Sequence, residues 1–133
     1  MNEKYILLVE DNPEDVEFIL LALRKNKIFH DIVVAKDGEE AIQYLFGEKQ
    51  EGNSPEVVLL DLQMPKVHGM EVLRMIREDK RTCSLPVFVL TSSDELTDII
   101  RSVELGSVKY LSKPLEFSEF VEVLGKITPH LTL

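Results

Sequence analysis

The sequence predicts an α/β domain in which a parallel sheet carries helices on both faces. Three observations predict it. Five short apolar runs occur along the chain, four of them rich in β-branched residues. The segments between them change to helical spacing, so strand and helix alternate as in βαβ units. Three of the runs contain no polar residue, which fits strands covered on both sides. Right-handed crossovers then make the sheet doubly wound.

The first run, Tyr5–Val9, is followed by Val16, Ile19, Leu20 and Leu23 on one helical stripe, with Asn12 as N-cap and Pro13 at the first helical position. Ile32–Val34 is the second strand. A shorter helix with Ala41, Ile42 and Leu45 is opened by Asp37-Gly38 and closed near Gly47. A polar, Gly-containing insertion, Glu48–Pro55, leads into the third strand, Val57–Leu60. Gly69, Val72, Leu73 and Ile76 mark the third helix and Val87–Leu90 the fourth strand. Leu96, Ile99, Ile100 and Val103 mark the fourth helix, which Ser92 and Glu95 open as a capping box. Val108–Leu111 is the weakest strand signal, and Phe117, Phe120, Val121 and Leu124 give the fifth helix. No repeat or linker divides the chain, so one domain is expected over residues 1–133 with its core from about 4 to 127.

Bulk composition excludes several classes of function. Against 15 Lys and Arg stand 24 Asp and Glu, a formal charge of −9 that repels the phosphate backbone of nucleic acid. Most of these carboxylates need do no more than keep the surface solvated. The lone Cys83 has no base or metal partner nearby in sequence, which suits a reducing compartment. The N-terminal apolar run is too short for a signal peptide core or a membrane span, so a cytoplasmic protein is expected. His30, His68 and His130 lack ligand spacing.

In doubly wound sheets, ligands sit beyond the carboxyl ends of the strands. Those ends carry Glu10-Asp11 after the first strand, Asp61 after the third, Thr91-Ser92 after the fourth and Lys113-Pro114 after the fifth. Each alone fits a turn former, a cap or a solvated side chain. Together they supply complementary chemistry. Three carboxylates crowded into one pocket require cations. Lys113 brings one positive charge and Mg²⁺ two more, the latter being a hard ion that takes a few carboxylates plus waters and phosphate oxygens. Phosphoryl transfer needs mainly positioning and charge stabilisation. Asp61 suits the nucleophile, Glu10 and Asp11 the metal, and Thr91 and Lys113 the phosphoryl oxygens.

Glu10-Asp11-Asn12-Pro13, Asp61-Leu62-Gln63-Met64-Pro65 with Gly69, Thr91-Ser92 and Lys113-Pro114 together resemble the motif set of the response-regulator receiver family over nearly the whole chain. The resemblance implies a flavodoxin-like fold with strand order 2-1-3-4-5 and five flanking helices. It implies a phosphohistidine on a sensor histidine kinase as donor, Asp61 as acceptor, and Mg²⁺ held by Glu10, Asp11 or both, by Asp61 and by the backbone carbonyl of Gln63. It implies a cis bond before Pro114 and a switch formed by Thr91 and Tyr110, although Tyr110 equally fits a half-buried aromatic at a strand end. A receiver is a phosphoacceptor that assists its own phosphorylation and dephosphorylation rather than a turnover enzyme.

Within the family, Glu48–Pro55 and the apolar tail Leu131–Leu133 most resemble small phytochrome-associated regulators. With about half a dozen residues after the fifth helix, no output domain is expected. Output through protein contacts follows, with a homodimer through the fourth helix, fifth strand and fifth helix as the first expectation, and Tyr110, Val123, Leu131 and Leu133 as contact residues. The rivals are a Mg²⁺-dependent aspartyl-phosphate phosphatase of the haloacid-dehalogenase type and a non-phosphorylated receiver-like scaffold. The first wants a second Asp where Gln63 stands. A flavin or nucleotide binder wants glycines where Glu10–Asp15 is acidic.

Overall fold

The computed structural model of the chain describes residues 5–47, 54–62, 69–91, 104, 109–112 and 116–131. Its elements run β1 (Tyr5–Val9), α1 (Pro13–Lys25), β2 (Asp31–Ala35), α2 (Gly38–Phe46), β3 (Val57–Asp61), α3 (Gly69–Glu78), β4 (Val87–Thr91), β5 (Lys109–Ser112) and α4 (Phe117–Leu124), then a 3₁₀ segment over Gly125–His130. The five strands form one sheet in the order β2-β1-β3-β4-β5, and every pairing is parallel. The expected doubly wound, flavodoxin-like architecture is therefore present. The helix expected over 96–103 lies outside the described residues, so α4 here is the fifth helix of the sequence reading.

The unbroken apolar runs serve two cores at once, because successive strand residues face opposite sides of the sheet. Leu7, Val9, Val58, Leu60, Val87 and Val89 meet α2 and α3. Ile6, Leu8, Val57, Leu59, Phe88 and Leu90 meet α1 and α4. All residues of β1 and β3 are buried. β2, at the sheet edge, is only partly covered, running from exposed Asp31 to buried Ala35.

Caps fix the helix ends. Asn12 Oδ1 accepts from the backbone N–H groups of Glu14 at 2.9 Å and Asp15 at 3.4 Å, with Pro13 at the first turn as the sequence predicts. Asp37 caps α2 through the Glu40 N–H at 2.8 Å. α1 ends in a Schellman motif: Ile28 N–H donates to the Leu23 carbonyl at 3.1 Å and Lys27 N–H to the Arg24 carbonyl at 2.9 Å. The position that usually holds glycine is Lys27, at φ 60°.

α1 and α4 are joined by polar and aromatic contacts. The Asn26 amide donates to the Ala22 carbonyl at 3.1 Å and across to the Val121 carbonyl at 2.7 Å. Phe18 and Phe117 meet edge to face at 5.3 Å. A Cβ at Gly125 would lie 2.8 Å from Asn26 Oδ1, so this glycine admits the amide.

Three expectations are corrected here. The last strand runs Lys109–Ser112, one residue past the expected end at Leu111, while Val108 lies outside the described residues. Asp61 and Thr91 are the final residues of β3 and β4 rather than the first residues beyond them. The tail after α4 is structured: Ile127 is fully buried, and Leu131, expected as an outward contact, is half-buried against the α1/α4 core. An isolated Ile among Lys126, Thr128 and Pro129 carries no periodicity to announce this. Among the described residues, no helix is long and apolar enough to cross a membrane.

Candidate functional site

Register brings the acidic residues together. Val9 of β1 pairs with Leu60 of β3, so the next residue on each strand, Glu10 and Asp61, stands side by side at the carboxyl edge. Both are buried, at 1% and 4% exposure, while Asp11 is exposed. Carboxylate oxygens of Glu10, Asp11 and Asp61 lie within 4.8 Å of one another.

The local backbone holds this geometry. Glu10 N–H donates to the Ala35 carbonyl at 3.0 Å, which extends the β1–β2 ladder by one residue and keeps Glu10 in line with the sheet. Glu10 Oε1 accepts from Asn12 N–H at 3.4 Å, while the Asn12 side chain caps α1. One turn thus joins the acidic pair to the start of a helix. At the end of β3, Leu62 is fully buried, and its N–H donates to the Leu90 carbonyl at 3.3 Å.

Gly69 contributes something that sequence spacing hid. In the sequence it belongs to an apolar stripe and to the motif set, and in the fold its N–H donates to the Leu62 carbonyl at 2.8 Å, bringing the start of α3 onto the end of β3. A Cβ there would sit 2.3 Å from the Asp61 carbonyl oxygen and 2.5 Å from Leu62 Cα. Both neighbours are backbone, so a side chain at 69 displaces the strand end that carries Asp61. The requirement is tertiary closeness, which no period in the sequence encodes.

Thr91 closes β4 in register with Ser112, and Asp61 pairs with Leu90, so the Thr91 backbone lies one residue beyond the partner of Asp61. Tyr110 pairs with Val89 in β5. The side chains of Thr91 and Tyr110 lie outside the described set, as do Gln63, Lys113 and Pro114 entirely.

The donor set fits a hard divalent cation. It offers carboxylate oxygens alone, two of the three groups being withdrawn from water. Two ionised carboxylates about 5 Å apart repel by roughly 3 kcal/mol at an effective dielectric of about 20. A divalent ion among them converts that repulsion into attraction.

Comparison with known proteins agrees with this arrangement. Residues 6–125 match the family model of the response regulator receiver domain. Response regulator Rcp1 of Synechocystis sp. (strain PCC 6803) is 35% identical over 126 residues, covering 93% of this chain and 86% of Rcp1. The crystal structure of the Mn²⁺-bound form of Rcp1 superposes with a TM-score of 0.82 at 34% identity, over 93% of this chain and 91% of that one. The phosphorylated cyanobacterial phytochrome response regulator RcpA gives 0.83 at 37%, over 94% and 91%. The bacteriophytochrome response regulator AtBRR gives 0.79 at 42%, over 100% and 98%. With the family model spanning most of the chain and the carboxylates gathered at the strand ends, this chain belongs to the response regulator receiver domain family.

Proposed function

We propose that the chain is a single-domain response regulator that accepts a phosphoryl group from a sensor histidine kinase onto Asp61 and signals through protein contacts in the cytoplasm. The observation that carries this reading is the close approach of Glu10, Asp11 and Asp61 at the carboxyl edge of the sheet. Asp61 is assigned as the acceptor because it is buried at the end of β3, between β1 and β4, and the next residue is fixed by the Leu62 N–H to the Leu90 carbonyl and the Gly69 N–H to the Leu62 carbonyl. One Asp61 carboxylate oxygen forms the new P–O bond as the P–N bond to the donor imidazole breaks. The imidazole leaves with that electron pair and takes a proton from solvent.

Glu10, Asp11, Asp61 and the backbone carbonyl of Gln63 would hold Mg²⁺. When bound, the ion supplies charge neutralisation at the phosphoryl oxygens. The Thr91 hydroxyl and the Lys113 ammonium are assigned as donors to those oxygens, and Thr91 with Tyr110 as the switch. The chain assists its own phosphorylation and dephosphorylation and is no turnover enzyme. Likeness to RcpA and AtBRR supports a phytochrome-type kinase as the partner.

Intact-mass spectrometry with acetyl phosphate and Mg²⁺ tests the proposal. A single phosphoryl adduct is expected, absent with a chelator and absent in Asp61→Asn, whose circular dichroism should remain native. An adduct that persists in Asp61→Asn would remove the acceptor assignment. A folded wild-type protein that never labels would favour the scaffold reading, and repeated turnover of a phosphate ester the phosphatase reading.

A further inference from the structure

At the sheet edge farthest from β5, α1 and β2 enclose a groove of about 420 Å³. Leu20, Leu23, Ile32 and Val34 line it, and Phe29 stands at its margin, 77% exposed. A phenyl ring this open to water gains apolar contact from any surface that covers it. β2 pairs with β1 on one side only among the described residues, so its outer edge presents backbone donors and acceptors alongside the groove.

Charge identifies what fits. Beside the end of the groove where β2 begins, Arg24, Lys25 and Lys27 are all exposed, against the carboxylate of Asp31 and that of Glu56, which His30 engages, in a chain whose net charge is −9. Among the described residues none of these three cations is joined to a carboxylate. His30, by contrast, is engaged with Glu56 at 3.7 Å. Arg24 and Lys25 also complement the C-terminal end of the α1 dipole, but that does not account for Lys27, which lies beyond the helix. A second copy docked by the same edge would set these cations against their own duplicates, which disfavours a symmetric pairing.

We propose that this groove docks an extended, acidic segment of a partner protein, whose backbone adds to the β2 edge and whose alternate apolar side chains lie against Phe29, Ile32 and Val34. Strand addition supplies main-chain hydrogen bonds, the groove selects apolar side chains, and Arg24 and Lys27 select acidic ones. Asp31, at the start of β2, pairs with Tyr5 at the start of β1, so the groove's basic end lies at the opposite end of the sheet from Glu10 and Asp61. A docked segment leaves the acidic site open.

The test is an NMR titration of the full, isotope-labelled chain with a short blocked peptide in which Glu alternates with Val and Phe. A second peptide with Lys in place of every Glu serves as control. Amide shifts confined to residues 20–36 are expected with the Glu peptide. The Lys peptide, Phe29→Ser and the double variant Arg24→Glu/Lys27→Glu should each weaken binding by about tenfold or more. Both variants alter exposed positions, and unchanged amide spectra elsewhere will show that they fold. Equal binding of the two peptides, shifts centred elsewhere, no shifts at all, or undiminished binding by Phe29→Ser would overturn the proposal. So would sedimentation showing a homodimer that Phe29→Ser dissolves, since the occupant would then be a second copy.

Discussion

At residue scale, single backbone positions govern both the site and the stability. Gly69 has backbone 2.3 Å and 2.5 Å from where a Cβ would stand, so Gly69→Ala must push α3 and the end of β3 apart. A loss of about 1–3 kcal/mol in urea unfolding is expected, as for other overpacked sites. The phosphorylation rate of the folded variant should fall further than that of a core variant of equal stability. Equal rates would return Gly69 to a purely structural role. Lys27 is the converse case, a side chain held at φ 60° where glycine is the usual occupant. Lys27→Gly should raise stability by about 0.5–1 kcal/mol in the same measurement, with no effect on phosphorylation. The motif resemblance singled out Gly69 without the backbone closeness that requires it, and Lys27 reads as an ordinary surface lysine.

At the scale of elements, most boundaries were legible because each helix carries one apolar stripe and each central strand is an apolar run up to its last residue. The register placing Glu10 beside Asp61 follows once β1 and β3 are neighbours, which the motif resemblance implied and periodicity could not. What escaped was set by tertiary packing, as in the 3₁₀ tail that buries Ile127 and the Asn26 bridge from α1 to α4. Asn26→Ala removes the donor to the Val121 carbonyl and opens space beside Gly125. A destabilisation of about 1–2 kcal/mol is expected by chemical denaturation, with faster amide exchange in the last helix. Protection unchanged there would show that the edge-to-face Phe18–Phe117 contact and apolar packing suffice.

At the scale of the whole molecule, the sheet separates an acidic carboxyl edge from the groove lined by α1 and β2. Stability should also respond to alkali through the first strand. Tyr5 is 7% exposed, and burial, with a smaller contribution from Tyr44, raises its phenol above its ordinary value. A folded-state value above the unfolded one means that the folded chain holds its proton longer. The associated stability is complete below about pH 10 and declines as pH rises beyond it. Thermal midpoints should therefore fall more steeply above about pH 10 for the native chain than for Tyr5→Phe.

The fold and the acidic half of the site were readable because strand ends in a doubly wound sheet converge, whatever lies in the loops. The most direct measurement of the central claim is chemical location of the phosphoryl group. Borohydride reduces an acyl phosphate to the alcohol, so peptide mapping after phosphorylation and reduction identifies the acceptor. Conversion of position 61 to homoserine, and of no other residue, is the expected result. Conversion at Asp11 or Glu10, or a phosphoryl group retained on a hydroxyl or imidazole, would contradict it.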